Sequence, residues 1–490
     1  MVATVRELVG LAYFAICAAI AVWATRRTRT ADDFFVAGRG VGLVPFAIAA
    51  MASTLSGFAF IGGTGLVYSV GMTAIFLILP AGVTNTLGAW VLGKRMHRLG
   101  TARKLLTVPD ALAARYRSPA TQGLSAVAIL AGVIGYLATN ALALGVVIDA
   151  LFATGLVPGI WIGTAVTLAY SVSGGILAGV YTDVFQGVVM AIASTAVFVF
   201  ALDAGGGLAA ITRTIEAADP TLLGPWGARG PMVALSFFFV FAVGSLGQPQ
   251  IAHKYYMLRD LARLKWYPVL MTVAMVLSQL LLFSVGVSVK ALVLRGEMPA
   301  LASPDEATPQ FLLRFVPVFL SALVFAGVAA AIMSTVNSFL SIGAAALTHD
   351  LPRALGREPV RQLLVGRVWT MVIALLAAWL AQQAGLLVAF LGILGYGLFA
   401  STLVPALAIG LNWTGATREG ALASIATGLT LTVGLEWLVW SKRLTVPQGI
   451  TVTGITLVTS MLVFVGVSWL TRHRATAQLD PDVRAILEDR

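Results

Sequence analysis

The chain has 490 residues, of which 59% are hydrophobic and only 11% charged, and its mean hydropathy is +0.91. That balance excludes a single soluble core and leaves a polytopic membrane protein. The net charge of +11 would suggest nucleic acid in a soluble chain, but the basic residues sit in short connections between apolar runs, where topology and lipid headgroups account for them and no nucleic-acid partner is expected.

A window of about twenty residues finds thirteen apolar runs, at 6–24, 42–69, 72–93, 120–152, 157–179, 183–203, 232–252, 266–293, 315–346, 364–382, 386–411, 421–440 and 449–471. The first is too long for the apolar part of a signal peptide, ends in Trp23 and Arg26-Arg27 and lacks an A-x-A site, so it reads as a helix and not as a cleaved leader. It holds Cys17, the one cysteine, which leaves no internal disulfide and no cysteine-based metal cluster.

The second run contains MASTLSGFAFIGGTG, Met51 to Gly65, and is weakened at its own centre by Ser53, Thr54, Ser56, Gly57, Gly62 and Gly63. Unwinding a span exposes carbonyls that can hold a cation in place of its water, and non-helical backbone at that depth survives only inside protein or beside a cavity. Small residues that let continuous helices pack closely are the other reading. Asp183 opens the sixth run, where it is placed to cap the helix. Asp149, Asp203 and Glu436 fall toward span ends, within reach of the interface. The seventh run reads FAVGSLGQPQ near its end, with Gly244, Gly247 and Pro249. Breaks at corresponding positions five spans apart, in halves of opposite orientation, point to an inverted-repeat transporter with its site at the breaks. In the ninth run, VFAGVAAAIMSTVNSFLSIGAAALTHD sets Ala331, Ser334 and Thr335 at i, i+3 and i+4, on one face. Two adjacent hydroxyls there can ligate a hard cation, although Ser and Thr in membrane helices also bond back to their own i−4 carbonyl.

Across thirteen spans, 24 Lys and Arg residues fall on the side reached after the first helix and 8 on the other. The positive-inside rule then puts the N-terminus outside and the C-terminus inside, and supports an odd number of spans. No long soluble domain is visible, and the residues after Thr471 form a short charged tail. His97, His253, His349 and His473 lie in or beside inner loops, no acid is expected at mid-membrane, and no buried Lys or Arg is expected. Proton coupling through a titrating carboxylate is therefore not expected. Neither is an enzyme, since no catalytic constellation or HExxH spacing occurs.

MASTLSGFAFIGGTG, SGGILAGVYTDVFQG (Ser173 to Gly187), GQPQIAHKYY (Gly247 to Tyr256) and AAAIMSTVNSFLSIGAAALTHDL (Ala329 to Leu351) resemble, in order, the signature segments of the sodium:solute symporter family. That family includes the bacterial proline and pantothenate symporters and the animal sodium–glucose cotransporters. The resemblance implies an all-α polytopic membrane protein with a LeuT-type five-plus-five inverted repeat, spans two to six and seven to eleven. The repeats would cover 42–203 and 232–411, after an extra N-terminal helix at 6–24 and before two helices in 421–471 and a cytoplasmic tail at 472–490. It also implies sodium-coupled, alternating-access import across the plasma membrane. Carried over by position, the sodium site would use the carbonyls of Ala52, Leu55 and Ala331 and the hydroxyls of Ser334 and Thr335, with Asp183 on the inward sodium path. The proline symporters carry an Asp where this chain has Thr54, so the site here would be neutral.

By the same resemblance the solute would meet Ser56, Gly57, Phe241, Ser245 and Pro249. Phe241 keeps the aromatic character of the proline symporters and Ser245 loses the following Tyr, which argues against proline itself. The polar set that binds sugars is not visible. A small organic solute bearing a carboxylate, such as an amino acid or monocarboxylate, is expected, held by the N–H groups of a half-helix. A transporter-like sensor or subunit without coupled transport is the alternative.

Overall fold

The computed structural model describes residues 2–28, 30–224, 226, 227, 230–358, 361–384, 388–447 and 450–489. Among them no β-strand occurs, and ten helices are long and apolar enough to cross a membrane. The thirteen predicted runs fall on helix to within a few residues, interrupted in the second and the seventh; residues 386, 387 and 449 of those runs lie outside the described residues. In chain order the main elements are α1 (Val2–Arg27), α2 (Leu43–Thr54), α3 (Thr64–Val70), α4 (Ile75–Gly88), α5 (Pro119–Phe152), α6 (Leu156–Ala204), α7 (Pro231–Gly244), α8 (Pro249–Lys254), α9 (Tyr267–Leu294), α10 (Val318–Ala345), α11 (Gln362–Ala384), α12 (Val388–Leu403), α13 (Arg418–Trp440), α14 (Val452–Leu470) and α15 (Pro481–Glu488).

The second span is α2 and α3, joined by Leu55–Gly57 and a widened helical turn at Phe58–Gly63. The seventh is α7 and α8, joined by Ser245–Gln248. α10 is buried along nearly its whole length and α5 along most of its own, so these two long helices form the interior against which both broken spans lie. The aromatic rings of Tyr136, Phe339 and Phe399 tie α5, α10 and α12 together, at centroid distances of 4.9 and 5.4 Å.

The fifth and sixth runs differ from the sequence reading, because helical hydrogen bonding continues without a loop through all 49 residues of α6. A straight helix of that length would measure about 74 Å, more than twice the hydrocarbon core. The contacts show a return instead. Thr164 and Thr167 line one small cavity with Val336 and Leu340 of α10, yet Gly179 again packs on Asn337, at the same level of α10. Trp161 Nε1 donates to Gln382 Oε1 near the end of α11, and Ala201 O accepts from Ser288 Oγ near the end of α9. The run therefore folds back between Thr167 and Gly179, and its two legs are the two predicted spans.

Outward-facing Leu8, Val199, Val269, Leu376 and Leu462 make an apolar exterior of the kind lipid covers. Trp23 and Trp469 lie on it under the guanidinium groups of Arg27 and Arg472, as interface anchors do. At the same end lie the helix Lys94–Arg103, the helix Val108–Tyr116 and the tail. Asp110 there is buried and accepts from Leu106 N, Gln122 Nε2 and His349 Nε2. Burial pushes its carboxyl up, but His349, the Leu106 N–H and Arg353 outweigh that and hold it below the usual range. The tail is not an unstructured charged segment: α15 docks on Lys94–Arg103, with Arg103 paired to Asp480 and Asp482 at 2.9 and 2.6 Å and Arg98 paired to Asp489.

Candidate functional site

The first break begins with hydroxyls turned on their own helix. Ser53 Oγ donates to Ala49 O and Thr54 Oγ1 to Ala50 O, at 2.9 and 2.8 Å, which competes with the regular ladder at the end of α2. Leu55 then leaves the helix (φ −84°, ψ 110°) after its N–H has reached Met51 O. The groups freed by unwinding are taken up by α5: Asn140 Oδ1 accepts from Gly57 N at 3.0 Å, and Tyr136 OH meets Ser56 Oγ at 3.1 Å. Ser56 and Gly57 are thus buried against α5, and a Cβ on Gly57 would collide with Ala143 Cβ.

α10 approaches the same break from its other side. Thr335 Oγ1 lies 3.3 Å from Leu55 O and 3.4 Å from Ser53 O, close enough to donate weakly to either. Ser334 Oγ is buried beside the Asp183 carboxylate, its polar neighbour, and makes no hydrogen bond of ordinary length to any described residue. Ala52 lies in the last turn of α2, one and three residues before these carbonyls, and Ala331 lies one turn before Thr335, both fully buried. Of the five predicted sodium ligands, the structure joins Leu55 and Thr335 directly and sets Ala52, Ala331 and Ser334 within a turn of them. Buried hydroxyls whose hydrogen bonds are long or of less than ordinary quality, next to backbone carbonyls, are a donor set chemically suited to a hard monovalent cation.

Asp183 is no helix cap. It lies well inside α6, fully buried; its Oδ2 accepts from Lys254 Nζ at 3.1 Å and lies 3.1 Å from Ser53 Oγ, whose one proton serves it or Ala49 O. Ser53 continues the chain to Ser338 Oγ at 3.0 Å. The expectation of no buried Lys or Arg is corrected here: Lys254 closes α8 at 1% exposure, and Arg115 is also fully buried, capping the carbonyls of Gly410 and Trp413. Lys254 follows the second break by six residues, and the break turns α8 inward instead of letting it run out to the interface.

The second break sets Gln248 in an extended conformation (φ −72°, ψ 109°) ahead of Pro249, which has no N–H to lose at the start of α8. Gly247 is required there, since a Cβ would stand 2.6 Å from Phe399 O. Between the two breaks lies a cavity of about 60 Å³, bordered by Thr54 and Leu55 of the first and by Phe241, Ser245, Gln248 and Gln250 around the second. That volume holds about four or five waters at 10–15 Å³ each. Phe58, Phe241 and Tyr396 form one stack, with centroids 5.7 and 4.4 Å apart. Phe241 and Ser245 line this cavity; Ser56, Gly57 and Pro249 are buried next to lining residues and are not part of the lining.

A model of the sodium:solute symporter family matches residues 34–428, a stretch that takes in both breaks, α10 and the cavity. The chain belongs to that family. Among similar proteins, the sodium/pantothenate symporter of Escherichia coli (strain K12) is 27% identical over 433 residues, 85% of this chain and 88% of that one. The osmoregulated proline transporter OpuE of Bacillus subtilis (strain 168) is 26% identical over 475 residues, 91% and 93% of the two chains. In fold the chain is similar to a Na+-coupled sialic acid symporter in a substrate-bound outward-open state (TM-score 0.78, 17% identity, 95% and 98% covered). It is also similar to MhsT in complex with L-phenylalanine (TM-score 0.52, 12% identity, 90% and 99% covered). These likenesses give this symporter-family chain the LeuT-type fold, with the two broken spans as the matched members of its inverted repeat.

Sequence reasoning missed Tyr136, Asn140, Lys254, Gln248, Gln250, Gln279 and Tyr396. Tyr136 and Asn140 carried a usable signal, since polar groups at i and i+4 inside an apolar run share one face. Tyr396 and Gln279 carried none, because nothing in the sequence around either marks it out from the other polar side chains of its run, and each is placed at the cavity only by the packing of α12 and α9.

Proposed function

We propose that the protein is a sodium-coupled symporter that imports a small organic solute by alternating access, and is not an enzyme. The observation that carries this reading is the cluster of buried oxygens at the first break, where the Thr335 hydroxyl meets Leu55 O and Ser53 O only at 3.3 and 3.4 Å and the Ser334 hydroxyl, beside Asp183, makes no hydrogen bond of ordinary length. Sodium is the co-transported ion, ligated by Ala52, Leu55, Ala331, Ser334 and Thr335. Asp183, held by Lys254 and Ser53, borders its route on the side of the basic end. The solute occupies the cavity between the breaks, against Phe241 and Ser245; Ser56, Gly57 and Pro249 support that wall from behind. Relatives named for proline and pantothenate favour a solute of a few carbon atoms bearing polar groups.

The repeats run over 42–203 and 232–411, with 6–24 an additional helix, two more helices in 421–471, and the tail at 472–490. The chain lies in the plasma membrane with the basic end and the C-terminus in the cytoplasm, as 24 of its 32 Lys and Arg residues require. The test is uptake into membrane vesicles with and without an inward sodium gradient, against a panel of amino acids, carboxylates and their amides. Uptake that is driven by a pH gradient in sodium-free medium and indifferent to sodium refutes it.

A further inference from the structure

Gln248 and Gln250 flank Pro249 at the second break, and both side chains are more than nine-tenths buried and line the cavity. Gln250 Nε2 donates to Gln248 Oε1 at 3.3 Å, while Gln248 Nε2 and Gln250 Oε1 have no partner. The pattern does not depend on which way the amides are turned together: two primary amides joined by one N–H···O=C bond leave the NH2 of one and the C=O of the other without a partner. The neighbouring hydroxyls do not fill this need. Thr54 Oγ1 donates to Ala50 O, Ser245 Oγ to Ala242 O and Tyr396 OH to Phe241 O, so their protons go to the backbone. Among the described residues, no Asp, Glu, Lys, Arg or His lines the cavity.

Buried polar groups without partners are rare in folded proteins and cost stability, so a pair of them on two residues that line one cavity marks a ligand's place. We infer that this cavity reads an uncharged amide-type group of the solute, a carboxamide, lactam or ureide, with the Gln248–Gln250 pair as the specificity determinant. Such a group carries a C=O and an N–H side by side and satisfies both free positions at once, while the Phe58–Phe241–Tyr396 stack covers its flat face. A carboxylate offers acceptors only and would face the free Gln C=O with negative charge. A zwitterion has the right order of donor and acceptor but brings two full charges into a lining that has none. The inference rests on the proposed transport reading for the location of the solute, and narrows the solute expected there from a carboxylate to an amide.

The experiment uses the full chain purified in detergent, with thermal unfolding followed in sodium chloride and in choline chloride. The probes are four five-membered rings: 2-pyrrolidinone and 2-imidazolidinone, which carry the amide or urea, and L-proline and cyclopentanecarboxylate, which do not. The expected result is saturable stabilisation by the lactam and the cyclic urea, with apparent affinity at least tenfold better than for the other two. The Gln248→Met/Gln250→Met variant should lose at least tenfold in that affinity while its ligand-free melting temperature stays equal or rises, since two unsatisfied groups are gone. Stabilisation confined to L-proline or cyclopentanecarboxylate, or by none of the four, overturns the inference, as does a variant that keeps lactam affinity or melts lower without ligand. The wild-type comparison decides by itself if the variant does not fold. Lactam binding that is equal in sodium and choline keeps this inference and removes sodium coupling; sodium-dependent binding of the carboxylate alone does the reverse.

Discussion

Replacing Gly57 by alanine separates a helix break held by packing from one that lines the transport route. The backbone there is helical (φ −54°, ψ −31°), so a side chain meets no conformational strain. The new methyl would overlap Ala143 Cβ and stand 3.2 Å from Ile332 Cγ1. Carbon atoms settle at 3.5–4.0 Å, so α5 or α10 must yield by roughly an ångström. Overpacking of this kind costs about 1–3 kcal/mol, and a shift that pulls Gly57 N from Asn140 Oδ1 forfeits about 1 kcal/mol more. The loss of unfolded-chain freedom returns about 0.4–1 kcal/mol. The net expectation is a destabilisation of about 1–3 kcal/mol, larger for Gly57→Val, with uptake falling in parallel. The assay is thermal unfolding and uptake for Gly57→Ala, Gly57→Val and the pair Gly57→Ala/Ala143→Gly. Because the second substitution removes the methyl that the first one meets, the pair should recover most of the stability. Gly57→Ala at full stability with uptake abolished would refute the packing argument and return Gly57 to the cavity wall.

Ser334→Ala/Thr335→Ala should abolish stabilisation by sodium while costing the sodium-free protein about 1 kcal/mol or less, since the Thr335 bonds are long; a sodium titration with an unchanged shift excludes the site. Lys254→Met should cost about 3–5 kcal/mol by leaving Asp183 buried without its partner, and Lys254→Met/Asp183→Leu should recover most of it; strictly additive losses would show that the two do not act as a pair. Burial pushes His97 below its ordinary value, against the hydrogen bond from its ring N–H to Leu258 O. As pH falls through about 6.5, the unfolded chain takes up a proton that the folded one resists, so stability falls between about pH 7 and 5 and His97→Gln flattens that slope; a melting temperature that rises over the same interval would contradict the sign. Arg103→Ala should change global stability by about 1 kcal/mol or less, because its ion pairs are partly exposed, yet speed proteolysis of the tail after Thr471; an unaltered cleavage rate would mean that α15 is held by other contacts.

What was legible in the sequence was whatever local composition dictates. Thirteen apolar runs need only a hydropathy window, and the breaks announced themselves because Ser, Thr, Gly and Pro weaken a helix wherever they stand. The hydroxyls of Ser334 and Thr335 were legible by helical spacing. The rest depends on which helices come together. Nothing near Gly57 in sequence says that Ala143 will press on it, and nothing near Lys254 says that Asp183, 71 residues earlier, will receive it. Asp183 read as a cap because the sixth run was taken to begin there; a chain that turns back without leaving helical hydrogen bonding puts the same residue deep inside. Gln248 and Gln250 looked like the polar end of a span, and only the second break sets them in the interior.

The docking of the tail has a consequence for how the chain is assembled. Arg103 and its partners Asp480 and Asp482 are separated by 377 and 379 residues, so at about 5–20 residues per second the basic helix waits roughly twenty to seventy-five seconds for them to be synthesised. Until then Lys94, Arg98 and Arg103 have only water and lipid headgroups to face. The pairs can form only if Lys94–Arg103 and α15 emerge on the same side of the bilayer, and that requires an even number of crossings between them. One segment left uninserted, or one extra, puts the acids on the far side. This late contact is therefore a parity check on all the insertions between Lys94–Arg103 and α15, and a nascent chain that fails it presents an unpaired acidic helix and an unpaired basic one on opposite faces of the membrane.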